Sequence, residues 1–311
     1  DNGIDPIGQR REARAALRAA IAKAMTFNQC VDAYLDAHSE AWRNIKHRQQ
    51  WPNTLATYAG PIIGGLDVAQ IDTGLVLKVL QPIWSEKTET AKRLRGRIES
   101  VLSWATTAGY RSGENPARWK GHLENLLAMP SKIAKVEHHP ALPYRELGAF
   151  MAELATMPYL GARALEFAIL TAARSGEVRG ATWAEIDMDL ALWTIPGERM
   201  KAENEHAVPL SDAAMALLRN QSRDADLVFA GARAGRPLGD MTLTAVLRRM
   251  DPGGAIWLAK DGRPITVHGF RSTFRDWAAE QTAYPTEVVE MAMSHTITNK
   301  VEAAYRRGDL I

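Results

Sequence analysis

Apolar residues in the first half of the chain recur every three or four positions, the period of a helix with one buried face. Phe27, Val31, Tyr34, Leu35 and His38 follow this rhythm after Thr26. Thr26 suits an N-cap, since its hydroxyl can accept from a free amide of the first turn. A second helix is expected over 46–59, with Pro52 near its first turn, where a missing N–H costs least. Residues 61–72 read as a turn region. Asp72 then caps a helix through Leu80, which Pro82 interrupts. The clearest amphipathic stretch is 88–110: Ala91, Leu94, Ile98, Val101, Leu102 and Ala105 share one face, and Lys92, Arg93, Arg95 and Arg97 lie around the other. Gly109 follows as a C-cap candidate, and Asn115-Pro116 marks a turn.

Residues 131–143 carry two prolines and no periodicity, and read as a linker. Helical patterns resume over 145–157 and 162–173, the latter ending at Arg174. Two short β runs, 191–196 and 206–211, flank GERMKAENE, so an antiparallel ribbon with Lys201 near its tip is expected. A helix capped by Ser211 or Asp212 follows, then a Gly- and Arg-rich loop (227–240) with Arg233 and Arg236, then a helix at 242–250 and further helices. Trp183, Trp193 and Trp277 are assigned to core packing in this half, and Trp42, Trp51, Trp84, Trp104 and Trp119 to the helical first half. The fold class is therefore mainly α with a small antiparallel β ribbon, in two domains. The expected division is a connector helix at 1–25, a helical domain at 26–130, a linker at 131–143 and a second domain at 144–311.

Length and composition, 311 residues with 46% hydrophobic and 24% charged, fit that organisation. The chain opens on Asp1-Asn2-Gly3 without an initiating Met, and a natural N-terminus further upstream is expected. One cysteine, Cys30, excludes an internal disulfide framework and a cysteine-based zinc site. No apolar run reaches the roughly 18 residues that would span a bilayer. Net charge is only +2, but residues 1–139 hold 19 Lys and Arg against 14 Asp and Glu, and residues 140–311 hold 19 against 22. The first half is thus the better general phosphate clamp. The second must attract an anion through placed cations.

Those cations come in a fixed order: Arg174, Lys201, His268-x-x-Arg271, His295, and then Tyr305 ten positions later. Taken singly, each has a bland reading. Arg174 and Glu177 make an ordinary i, i+3 pair, Lys201 a turn lysine, His268 and Arg271 a packing pair, Tyr305 a helix aromatic. Together they suit attack on a phosphodiester without a metal. A phenol with a pKa of about 10 becomes nucleophilic when guanidiniums stabilise the charge at phosphorus and a histidine shuttles the proton. There is no HExxH and no carboxylate cluster of the two-metal kind. His138-His139 reads as a solvated linker pair, and His206, opening a strand near the ribbon, receives no catalytic role.

At TAARSGEVRGATW, MKAENEHAVPLS, HGFRSTFRDWA and MSHTITNKVEAAY the chain resembles the tyrosine recombinases, most closely phage and genomic-island integrases. The resemblance covers residues 26–311. It implies a two-domain DNA clamp: a helical, SAM-like core-binding domain and a DNA breaking-rejoining catalytic domain, with residues 1–25 trailing from an arm-binding region. It implies that Arg174 and Arg271 bind the scissile phosphate, Glu177 buttresses them, and Lys201 protonates the leaving 5′ oxygen. His268 would assist proton transfer, His295 would bond the phosphate, and Tyr305 would form the 3′-phosphotyrosyl link. Further DNA contacts are expected at Lys92, Arg93, Arg95, Arg97, Arg233 and Arg236. The implied partners are double-stranded DNA at attachment sites, three further copies of the chain in a homotetramer, and accessory DNA-bending proteins. No cofactor and no membrane are implied, and the expected location is the cytoplasmic nucleoid. Two departures stand out: AMS precedes His295 where relatives carry Leu-Gly or Leu-Ala, and six residues follow Tyr305 where many carry a further helix. A type IB topoisomerase and a catalytically silent DNA-binding regulator stay open as alternatives.

Overall fold

The computed structural model describes residues 24–42, 45–134, 137–200, 203–233 and 235–294. It divides into two compact units, Asp1–Val136 and Glu137–Ile311. Among the described residues no helix is long and apolar enough to cross a membrane.

In the first unit α1 (Phe27–His38) starts with a capping box: the Thr26 hydroxyl accepts from Gln29 N while the Gln29 side chain accepts from Thr26 N at 2.8 Å. α2 (Ile45–Thr54) runs straight into a wider π-helical segment, Leu55–Gly64. This corrects two expectations, because Pro52 sits well inside α2 and residues 61–64 are helical. The wider turn accommodates Pro61, whose ring would clash in a regular α-helix. α3 (Thr73–Trp84), capped by Asp72 through Leu75 N at 2.8 Å, continues past Pro82. Continuation buries Ile83 and Trp84 and lets Trp84 Nε1 donate to Ala128 O at 2.9 Å. Burying two large side chains is worth several kcal/mol, enough to offset the roughly 3 kcal/mol that an interior proline costs.

α4 (Thr88–Thr107) buries the six inward residues read from its sequence, each at 0% exposure. It ends in a Schellman turn: Tyr110 N donates to Ala105 O, Gly109 N donates to Thr106 O, and Gly109 takes φ 79. The basic face needs correction. Lys92 and Arg93 are exposed beside Glu89, but Arg97 is 7% exposed. Its Nη1 donates to Gln50 O at 2.8 Å, and its guanidinium lies 5.5 Å from the centre of the Trp51 ring. Arg95 is also engaged, with Glu99 and with Ala117 O at 2.8 Å. Arg97 follows Leu94 by three and precedes Val101 by four, so helical spacing carries it onto the buried stripe. A helical turn α5 (Pro130–Ile133) begins where the linker was expected, and Ile133 packs against this core.

The second unit holds α6 (Leu147–Ala155), α7 (Leu160–Thr171), α8 (Ser175–Arg179), β1 (Ile186–Asp187), β2 (Leu192–Ile195), β3 (His206–Pro209), α9 (Asp212–Arg219), α10 (Thr242–Met250), α11 (Gly269–Gln281) and α12 (Thr286–Ala292). The strands form an antiparallel sheet in the order β1-β2-β3, with Trp193 opposite Ile186 and Val208, and Ile195 opposite His206. Trp193 is fully buried against Phe167, and its Nε1 donates to Glu185 at 3.0 Å. Trp277 departs from expectation: it is 43% exposed, on the outer side of α11. Residues 140–142 lie tightly on the start of α11. A Cβ on Gly269 would come 2.0 Å from Pro140 O, so only glycine fits there. Thr273 Oγ1 donates to Leu142 O at 2.7 Å and secures the same contact.

Candidate active site

Three elements of the second unit converge on the end of α12. The first is the turn after α7. That helix stops at Thr171, not at Arg174, because Ala172 adopts φ 50 and reverses the chain. A left-handed alanine costs roughly 1–2 kcal/mol, and here it aims a carbonyl at the site. Arg174 then serves as the N-cap position of α8. Glu177, 6% exposed, reaches back with one carboxylate oxygen to Arg174 N and with the other to Arg174 Nη1, both at 2.8 Å. This is half a capping box joined to an ion pair, so one glutamate fixes both backbone and guanidinium.

The second element is α11. Arg271 lies one turn into it and is 5% exposed. Its Nη1 donates to the Ala172 carbonyl and its Nη2 to Met293 O. Arg174 Nη2 donates to the neighbouring carbonyl, Ser294 O, at 3.0 Å. Two guanidiniums from separate elements thus meet successive carbonyls of one turn. Burial, and then the charge of Arg174, push the Arg271 pKa down to about 10, with Glu177 and Glu290 opposing. Below them Ala172, Ala278, Val289 and Met293 form a small apolar cluster, and Arg275 Nε pairs with Glu290 at 2.6 Å to tie α11 to α12. His268 occupies the N-cap position of α11, exposed, with its ring edge-on to His139 at 4.6 Å. The linker histidine therefore touches a candidate residue, although among the described residues no three His, Cys, Asp or Glu side chains could hold one metal ion.

The third element is β3, and sequence reading missed it. His206 is partly buried at the start of β3 and feels the charges of Glu177, Arg174 and Arg271. Burial is the main cause of its lowered pKa; the two arginines add to it, while Glu177 resists. A signal existed: alternate strand residues share a face, and Val208 is a core residue. Arg199 was missed as well. It binds Glu185 and the Glu177 carbonyl, and packs so closely on Gly180 that a Cβ there would lie 2.8 Å from its Nη2.

Arg174, Glu177 and Arg271 are therefore together, with His268 one turn away on the same helix as Arg271. Lys201, His295 and Tyr305 lie outside the described residues. Of the other expected DNA contacts, Arg233 and Arg236 are exposed and line a cavity of about 670 Å³ with Arg179.

This fold recurs in known proteins. A λ integrase tetramer bound to a Holliday junction superposes with a TM-score of 0.68 at 16% identity, over 96% of this chain and 83% of that one. A λ integrase dimer bound to a COC′ core site gives 0.69 at 17%, over 100% and 84%. The fold is that of a tyrosine recombinase. The phage integrase central domain matches residues 27–122 and the phage integrase family matches residues 141–309. The integrase of Enterobacteria phage P4 is 31% identical over 97% of this chain, and prophage integrase IntA of Escherichia coli K12 is 28% identical over 81%. The chain belongs to the phage integrase family of tyrosine recombinases. It spans 69% of the P4 integrase and 58% of IntA.

Proposed function

We propose that the chain carries the core-binding and catalytic parts of a site-specific DNA recombinase, which cleaves and rejoins strands to integrate or excise a mobile element. The observation that carries this reading is the convergence of Arg174 and Arg271 on adjacent carbonyls. Donors so placed can grip two oxygens of one phosphate. The DNA-bound solved structures with this fold support DNA as the partner, the tetramer on a Holliday junction supports four protomers, and the nucleoid follows as the location.

In the proposed reaction the Tyr305 oxygen attacks phosphorus and the P–O5′ bond breaks. Lys201 gives its proton to the leaving 5′ oxygen, and a new O–P bond holds the 3′ end on the protein. Arg174 and Arg271 neutralise charge on the non-bridging oxygens, His295 adds a hydrogen bond, and His268 takes the phenol proton. Glu177 holds Arg174 in place. Religation reverses these steps, and bond energy is retained in the phosphotyrosine. The test is covalent trapping on a pool of nicked duplexes, with sequencing of the trapped DNA. Wild-type protein should give an adduct that survives EDTA, and Tyr305→Phe should give none. An undiminished adduct in that variant would refute the nucleophile.

A further inference from the structure

We propose that His139 is a positioning residue for His268, its ring setting the orientation in which His268 meets the phenol. The catalytic consequence rests on the recombinase reading; the contact rests on geometry alone. Residues 137–142 are laid along the segment that leads into α11, and they are fastened on both sides of His139. Before it, Arg263 pairs with Glu137 at 2.5 Å, and its Nη2 donates to His138 O at 3.3 Å. After it, Thr266 N donates to Pro140 O at 3.1 Å, and Thr273 Oγ1 holds Leu142 O. Gly269, directly after His268, lets Pro140 O come this close, since a Cβ would leave no room for it. A side chain anchored through both neighbours has little freedom to leave. That of His139 lies edge-on to the His268 ring, with centroids 4.6 Å apart and planes at 64°.

His268 gains from such a neighbour. It occupies the N-cap position of α11, where its side chain makes no capping hydrogen bond and is exposed. The backbone there is fixed, because Gly269 N donates to Thr266 O at 3.0 Å and Arg271 N donates to His268 O at 3.2 Å. An exposed imidazole on a fixed backbone still turns among staggered rotamers, and only some of them aim a ring nitrogen at the site. A T-shaped ring pair favours one rotamer by about two- to tenfold over its rivals. Proton transfer needs a ring nitrogen within hydrogen-bond reach of the phenol, so the fraction of molecules with the ring held is the fraction ready to react. In this role His139 moves no proton, and any flat ring at position 139 would serve.

The test uses the full protein with His139→Ala, His139→Phe and His268→Ala, and with His139→Ala and His268→Ala combined. Single-turnover adduct formation on the trapped duplex should slow about fivefold in His139→Ala, the order set by one ring pair, with DNA affinity unchanged within about twofold. His139→Phe should recover most of that rate. In the His268→Ala background the further change His139→Ala should cost less than about 1.5-fold, because no ring is left to orient. An unchanged rate in His139→Ala overturns the proposal, and so do equal losses in both backgrounds. A His139→Phe variant as slow as His139→Ala also overturns it, since the imidazole would then be carrying a proton. The contact is read separately in the histidine ring signals of the NMR spectrum. Those of His268, identified by their loss in His268→Ala, should move in His139→Ala more than in His138→Ala. Unmoved signals overturn the contact whatever the rates do. If wild-type protein forms no adduct, the recombinase reading fails and takes the catalytic consequence with it, while the ring signals still decide the contact.

Discussion

Arg97 of the first unit and Arg271 of the other unit match by every local measure. Both lie on inward faces of helices, both are nearly inaccessible, and both donate to backbone carbonyls of other segments. Their surroundings differ. Arg97 meets the Gln50 carbonyl, the Thr54 hydroxyl and the face of Trp51. Arg271 meets carbonyls too, but where the like charge near Arg97 is the exposed Arg93, the one near Arg271 is the largely buried Arg174, paired with the buried carboxylate of Glu177. Like charges drawn together out of water cost stability, and a fold that keeps them together is prepared for an anion. Buried charge alone therefore marks architecture; its accumulation marks a site.

The comparison breaks if the two arginines respond alike to removal. Arg271→Ala should slow adduct formation by about 10²–10³-fold, the usual loss when a donor to developing charge is removed. Arg97→Ala should leave the rate per folded molecule unchanged. Its effect should appear in chemical denaturation, as a loss of about 1–3 kcal/mol from its hydrogen bonds to the Gln50 carbonyl and the Thr54 hydroxyl and its packing on Trp51. A catalytic defect in Arg97→Ala without unfolding would erase the distinction.

Acid should sharpen it. The neutral form of His206 is favoured in the folded state, so the contribution to stability is complete above the unfolded value near pH 6.5. It is lost as pH falls through the lowered folded value, because the charged imidazole must then be held in a partly buried place near the charges of Arg174 and Arg271, with Glu177 only partly compensating. Urea unfolding at pH 7.5 and pH 5 should show a larger acid loss in wild type than in His206→Gln. The smallest effect is expected on the outer face of α4. Removing exposed Lys92 and Arg93 together should weaken DNA binding uniformly and lower the salt slope by up to about 2, while Arg95→Ala leaves the slope unchanged. Equal slopes in all these variants would exclude that face from the DNA.

Much of this fold is legible in the chain itself. The α4 stripe, the Thr26, Asp72 and Ser211 caps, Gly109 and the ribbon follow from period and turn chemistry. The misses have a common cause, since in each the residue's type points one way and its position another. Charge alone puts Arg97 outside, although its spacing from Leu94 and Val101 puts it inside. Pro82 has less power to end a helix than its type suggests, because burial of Ile83 and Trp84 rewards continuation. His206 attracts no role by type, although period two aligns it with Val208. The meeting of Arg174 with Arg271 cannot be read from spacing, because they lie 97 positions apart and the fold, with its left-handed turn at Ala172, brings them together.

The central claim is that these two guanidiniums serve one anion. Its most direct test is a double-mutant cycle in single-turnover adduct formation, with Arg174→Lys, Arg271→Lys and the pair. A shared phosphate predicts that the double variant loses clearly less than the product of the single losses, a coupling of about 1 kcal/mol or more. Losses that multiply without coupling would mean two separate sites and would contradict the account.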